Sequence, residues 1–181
     1  DQWNNPTAWV YLALHGGYGF LWVLKGKIFP DQQWERSASV IFTIIGAAAL
    51  CLYWIAPFLL TSRNVHAPYW LIAVCIILGM LGIFLHFTAD MQKYVSLKLK
   101  PDHLITAGLW SRTRNPNYFG ELLVYFGFAT LSMHWFSYMI LSIWVLFYWL
   151  PNMFKKDRSL SRYPEFLEYK KRTRLFIPFV Y

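Results

Sequence analysis

Cysteine is nearly absent from this 181-residue chain. The two present, Cys51 and Cys75, lie inside apolar stretches at no metal-ligand spacing, so both read as small core residues, no metal site is expected, and neither informs on redox compartment. Charge is thin as well: charged residues make up 14%, with nine acids against seventeen lysines and arginines, and no acid occurs between Glu35 and Asp90. No Gly-x-Gly-x-x-Gly loop of the soluble type exists, which speaks against a dinucleotide held on a Rossmann sheet. Internal repeats, low-complexity tracts and linkers are also missing. The chain opens at Asp1 and not at a methionine, which suggests processing or a trimmed segment, and no cleavable signal peptide is recognisable.

What the chain has in abundance is apolar surface. It is 57% hydrophobic and 20% aromatic with a formal charge of +8, far too apolar for a soluble domain of this size. The expected class is all-α, a multi-pass transmembrane bundle of about five helices forming one domain over residues 1–181. Residues 8–24 make a first helix of about 17 residues, near the lower limit for crossing roughly 30 Å of hydrocarbon. Its centre holds His15, Gly16 and Gly17: the glycines permit close helix contact, and the histidine needs a hydrogen-bond partner, expected on a neighbouring helix. A polar loop over 25–37 carries Lys25, Lys27, Asp31, Glu35 and Arg36. A second apolar run covers about Ala38–Leu60, with Pro57 in its last turns, and a short connection over 62–68 leads to a third helix ending near Asp90. Residues 116–134 and about 138–151 give two more helices; the second is short for a full span, so either it is tilted or the pair forms a helical hairpin. The basic tail from Lys155 onward is attracted to anionic lipid heads.

Sixteen of the seventeen lysines and arginines fall in 25–36, 93–114 and 155–174, against Arg63 alone on the other side. Under the positive-inside rule, five crossings place the N-terminus outside and the basic segments in the cytosol. Cysteine-accessibility labelling is expected to reach position 170 from the side opposite to position 63; labelling both from one side would overturn this topology. With most of the chain in lipid, the bilayer is its first partner, and nucleic acid is a poor fit.

One stretch concentrates polar chemistry against this background: residues 106–121, TAGLWSRTRNPNYFGE. Asn115-Pro116 has the form of a helix start, with Asn able to cap free N–H groups and Pro preset at the first helical position. The free amides and positive dipole end of that helix suit a phosphate or other anion, with Arg112 and Arg114 beside it. Glu121 sits one turn into an otherwise apolar helix, where a carboxylate is costly unless paired. Upstream, His86, Asp90 and Lys93 share one helix face.

The segment resembles the C-terminal signature of the membrane steroid 5α-reductase and sterol-reductase superfamily, through Gly108-Leu109-Trp110 and Asn117-Tyr118-Phe119-Gly120-Glu121. Ala89-Asp90-Met91-Gln92-Lys93 and the ending Leu175-Phe176-Ile177-Pro178-Phe179-Val180-Tyr181 are similar to a reductase-like branch of that group. One departure stands out. The related isoprenylcysteine and phospholipid methyltransferases read Arg-His-Pro where this chain has Arg114-Asn115-Pro116.

The resemblance covers residues 86–181 and implies a cofactor-binding half there, with membrane helices over 1–85. It implies NADPH as cofactor, held by His86, Asp90, Lys93, Arg112, Arg114, Asn117, Tyr118 and Glu121, with Lys156, Arg158 and Tyr169 contributed by the tail. The implied reaction is hydride delivery to a carbon–carbon double bond of a lipophilic steroid-like or enone substrate, in lipid metabolism. Steroid 5α-reductases place a glutamate near the substrate oxygen. None is found here, so Tyr11, His15, Tyr18 and Tyr53 are the remaining catalytic candidates. Two alternatives stay open: a methyltransferase of a lipid or prenylated substrate using S-adenosylmethionine, and a non-catalytic subunit with partners in a larger membrane complex. The membrane is the endoplasmic reticulum or another intracellular membrane, or a bacterial inner membrane.

Overall fold

A computed structural model of the protein describes residues 2–31, 37 and 39–178. Glu35, Arg36, Ala38 and the ending Phe179-Val180-Tyr181, all part of the expectations above, lie outside them. Among the described residues the fold is all-α, with one isolated bridge and no strand.

Helix α1 runs over Pro6–Ile28. Asn5 caps it, accepting from the Thr7 and Ala8 amides, and Pro6 occupies the first helical position. Fully buried Asn5 also donates to the Val65 carbonyl at 2.9 Å, and Thr7 Oγ1 accepts from the Ala67 amide at 2.9 Å. The start of α1 is thereby fastened to the connection over 62–68. The helix outlasts its expected end at Leu24 because nothing disfavours helix before Phe29-Pro30, where the residue preceding proline leaves helical geometry at φ −140°.

Helices α2 (Val40–Cys51) and α3 (Ile55–Ser62) are joined by a 3₁₀ turn over Leu52–Trp54. The tightening has a cause at Pro57, which brings no N–H to the Tyr53 carbonyl and crowds it. Helix α4 spans Tyr69–Leu99, 31 residues, and so does not end near Asp90. No breaker occurs before Lys100-Pro101, and Asp102 then turns the chain in a left-handed conformation at φ 53°. At 1.5 Å per residue α4 is about 46 Å long, so its polar end with Asp90 and Lys93 outruns the hydrocarbon.

Helix α5 is Pro116–Leu131. A turn at Ser132–His134 follows, in which buried Ser132 Oγ bonds the Ala129 carbonyl and Ser137 Oγ, both at 2.7 Å. Then come α6 (Trp135–Trp144), a π-helical turn (Val145–Trp149) and α7 (Leu150–Leu160) as one continuous 26-residue helix. This corrects the expected short helix over 138–151: Pro151 does not end it, because the wider turn before the proline absorbs its missing N–H and ring. Lys155 and Lys156 therefore belong to a helix and not to a loose tail. Helix α8 is Phe166–Arg172.

Three helices are long and apolar enough to cross a membrane: Thr43–Ser62, Tyr69–Leu99 and Trp135–Leu160. The protein is an integral membrane protein. Of the five crossings expected, α1 is long enough but less apolar, and α5, at 16 residues, is only about 24 Å long. Exposed Trp70, Phe84, Ile45 and Phe147 give the spans lipid-compatible surfaces.

The chain divides into two compact units, one of residues 1–79 and 125–141, the other of 80–124 and 142–181. In the first unit, Tyr11, Tyr18, Leu60, Cys75, Phe128 and Leu131 are buried. Cys75 is the core residue expected, whereas Cys51 is exposed on the apolar surface of α2. Gly16 and Gly17 make no close helix contact: a Cβ added at either would meet nothing within 4 Å. The close approach occurs in the second unit. A Cβ on Gly82 would sit 2.6 Å from the Gly120 carbonyl oxygen, and one on Gly120 would sit 2.4 Å from the His86 amide nitrogen. There α4 and α5 touch backbone to backbone, as small residues allow in lipid.

Candidate functional site

That contact brings the polar ends of α4 and α5 together in the second unit. His86 Nδ1 lies 3.1 Å from the Asn117 carbonyl, and His86 Nε2 lies 3.7 Å from Asp90 Oδ2 one turn further along α4. Asn117 Nδ2 donates to Asp90 Oδ1 at 3.1 Å. His86 and Asp90 are both buried, so the expected shared face of α4 exists and is turned onto the start of α5. Gln92 fastens the following loop: its Nε2 donates to the Ala107 carbonyl at 2.8 Å, and its Oε1 accepts from the Leu109 amide at 3.2 Å. Gly108 in between has φ 61°, and a Cβ there would strike the Gln92 amide at 2.4 Å, so both backbone conformation and space require glycine.

Helix α5 starts at Pro116 as expected, but Asn115 does not cap it with its side chain. Its Nδ2 donates to the Leu175 carbonyl at 2.8 Å, and its Oδ1 accepts from Lys156 Nζ at 2.9 Å. Helix-start amides therefore remain without a side-chain cap from Asn115.

Arg114 is likewise used differently from the expectation. It is 5% exposed, and its Nε faces both carboxylate oxygens of buried Asp157, at 2.9 and 3.1 Å. Its Nη1 donates to the Thr173 carbonyl at 2.8 Å. The planar fork expected to grip a phosphate holds α7 and the segment after α8 against the loop before α5. Three more bonds close the same joint: Arg114 N to Arg174 O at 2.8 Å, Arg174 N to Arg112 O at 3.1 Å, and Thr113 Oγ1 to Phe176 O at 2.8 Å.

Lys156 completes this layer. Besides Asn115 it reaches the Arg114 carbonyl at 2.8 Å and stands 4.3 Å from the centre of the Trp110 ring, a cation–π contact. Lys93, Asp90, Asp157 and Arg114 are the charges that act on it. Tyr169 is buried and donates to the Trp110 carbonyl at 2.7 Å. Burial holds its phenol well above the ordinary tyrosine range, against the opposing pull of Arg114, so it stays a donor throughout the physiological range. Tyr118 packs on fully buried Trp149, their ring centres 5.6 Å apart. Glu121 and Lys93 are half-buried, whereas Arg112 and Arg158 are exposed. Asn117 Oδ1 and Trp110 Nε1 are buried without a hydrogen-bond partner among the described residues.

The second unit thus gathers most of the expected cofactor residues. It adds Gln92 and Trp110, named above only as motif residues, and Asp157 and Thr173, which sequence reasoning missed. Asp157 carried a signal, as one of three acids in a strongly basic segment; Thr173 carried none.

The four catalytic candidates all lie in the first unit, around two aromatic rings of α5. Tyr11 and His15 surround Phe128, the His15 ring stacked on it at 4.8 Å. Tyr53 stacks on Tyr125 at 4.5 Å, and Tyr18 meets Tyr125 edge-on at 6.0 Å. His15 finds its hydrogen-bond partner one turn back on its own helix, Tyr11 Oη at 3.1 Å from Nδ1, and not on a neighbouring helix. Tyr11 and His15 also line an apolar cavity of about 520 Å³ between α1 and α3, with Trp9, Trp54 and Leu60 among its walls; Tyr18 and Tyr53 do not.

Comparison with known proteins places these features. The chain is 24% identical over 155 residues to "Steroid 5-alpha-reductase DET2" of Gossypium hirsutum, covering 79% of this chain and 57% of that protein. It is 27% identical over 121 residues to the Arabidopsis thaliana protein of the same name, covering 62% and 43%. "Cobalt-zinc-cadmium resistance protein CzcN" of Cupriavidus metallidurans is 28% identical over 159 residues, covering 86% and 58%. The chain therefore spans about half the length of the curated relatives it matches. No solved structure matches it. The family model described as "Protein of unknown function (DUF1295)" matches residues 27–173, which includes the α4–α5 contact, the Arg114–Asp157 pair and Tyr169. The chain belongs to that family, within the steroid 5α-reductase-like superfamily that its motifs resemble.

Proposed function

We propose that the protein is a membrane-embedded reductase that uses NADPH to reduce a carbon–carbon double bond of a lipophilic, steroid-like or enone substrate. The observation that carries this reading is the cluster of His86, Asp90, Asn117, Trp110 and Lys156 at the start of α5, in a chain similar to two steroid 5α-reductases. The cofactor fits these residues. Asn117 Oδ1 and Trp110 Nε1 offer one buried acceptor and one buried donor still to be satisfied, which an amide matches. Lys93, Arg112 and the start of α5 suit phosphate groups, and Tyr118 suits a flat ring. Asp90 orients Asn117, His86 fixes the first turn of α5, and the Gly82–Gly120 contact holds α4 against α5. NADPH, when bound, supplies the hydride.

Titration of the purified full chain tests this. Saturable NADPH binding is expected in preference to S-adenosylmethionine, and Lys93→Ala should weaken it roughly tenfold through loss of charge-assisted bonds. Binding of S-adenosylmethionine alone would move the assignment to a methyltransferase. Binding of neither would favour a non-catalytic subunit, a reading supported by the similarity to a protein named for metal resistance and not for reduction.

A further inference from the structure

The cations of the basic segment that begins at Lys155 are not equivalent. The helical period gives α7 two faces: Met153 and Asp157 are buried, whereas Pro151, Phe154, Lys155 and Arg158 are exposed along the opposite side. Asp157, the sole acid of α7, is turned inward onto Arg114, and Lys156 is turned inward onto the Arg114 carbonyl and Asn115. The outer face of α7 therefore carries positive charge and no acid. Lys155 and Arg158 make no side-chain hydrogen bond or ion pair among the described residues. Several cations further along are engaged. Arg162 lies over the Tyr163 ring with its Nη2 3.0 Å from the phenol oxygen, Lys171 pairs with Glu168 at 2.6 Å, and Arg172 stands 5.9 Å from the centre of the Tyr169 ring.

Depth along the helix singles out the same two residues. About 20 helical residues cross the hydrocarbon, and counted from exposed Trp135, where this continuous helix begins, they end at Phe154. Exposed Leu146, Phe147 and Phe154 lie within that stretch and suit acyl chains. Lys155 and Arg158 come directly after it, at the level of lipid headgroups and about one turn apart. A phosphate between them would meet a point charge and a planar fork, while the cationic end of a zwitterionic headgroup would be repelled by the same face.

We infer that the outer face of α7 is a binding site for an anionic phospholipid, its headgroup phosphate held by Lys155 and Arg158 and an acyl chain lying against Phe154. The site is local, unlike a general attraction of the whole basic segment to the membrane surface, and it needs no cofactor.

Native mass spectrometry of the full chain released from neutral maltoside micelles tests this, with dioleoylphosphatidylglycerol or dioleoylphosphatidylcholine added. The phosphatidylglycerol should bind roughly tenfold more tightly. Lys155→Ala combined with Arg158→Ala should weaken it roughly tenfold or more and leave phosphatidylcholine within about twofold of the parent. Lys170→Ala combined with Lys171→Ala removes the same charge from exposed positions of α8 and should change neither lipid by more than about twofold. Phe154→Ala should weaken both lipids alike. Lys155→Arg combined with Arg158→Lys keeps both charges and should keep the preference, and thermal unfolding of every variant should match the parent because the substituted side chains are exposed. Glycerol 3-phosphate in millimolar excess should not displace the lipid. Equal affinities of the two lipids for the parent would overturn the site. So would equal losses in the two charge-removing variants, which would mean a diffuse surface field, or displacement by glycerol 3-phosphate, which would mean a soluble phosphate ligand.

Discussion

Arg114→Ala should destabilise the C-terminal part of the fold by about 3–5 kcal/mol, the cost of stranding a buried carboxylate when its partner is removed. Asp157 is only 7% exposed, and the Arg114 fork supplies its ion pair. The same substitution frees the Thr173 carbonyl and loosens the strip from Arg174 to Phe176 that the loop at 112–115 holds. Protease cleavage near Lys170–Arg174 and thermal unfolding in micelles both read this, and both should show the loss. Arg114→Lys should fall between parent and alanine, because an ammonium keeps the charge but not the fork that faces two carboxylate oxygens and a carbonyl together. Replacing Arg114 and Asp157 together with leucine should recover much of the loss, since a buried pair exchanged for apolar side chains is often neutral. Full stability in the alanine variant would show that the pair holds nothing.

Gly120→Ala should be strongly disruptive for so small a change. Its methyl group would stand 2.4 Å from the His86 amide nitrogen and 2.6 Å from the Gly82 carbonyl oxygen, both backbone atoms that no side-chain rotation can move aside. Overpacking costs typically 1–3 kcal/mol, and more when neighbours cannot yield, so about 3 kcal/mol is expected here. Separating α4 from α5 also breaks the His86–Asn117 and Asp90–Asn117 bonds, so the NADPH binding proposed for this site should fall together with stability. Gly16→Ala and Gly17→Ala, in open space, should instead be neutral or slightly stabilising, because helical glycine costs about 1 kcal/mol relative to alanine. Unfolding curves of the three variants would separate these outcomes; a Gly120→Ala protein as stable as the parent would mean that the helices can part at little cost.

Composition alone determined that this is an α-helical membrane protein, because backbone groups in lipid must bond within their own segment and a 57% hydrophobic chain with scattered charge leaves few other solutions. Local chemistry set the start of α5 at Pro116, and the four-residue spacing of His86 and Asp90 put them on one face. Both are short-range rules that a sequence states directly. Helix ends were legible only where a breaker stood. Pro101 stops α4, but Pro151 stops nothing, because a five-residue π turn that ends two residues earlier accommodates it. Partner choice was not legible. Arg114 and Asp157 are 43 residues apart, and a guanidinium beside a helix start suits a phosphate as well as it suits a carboxylate. The two glycines at the helix contact look no different in sequence from the two that touch nothing; which pair is buried depends on how α4 crosses α5. Distant packing and the competition among partners for each polar group decided these points, and only the tertiary structure contains them.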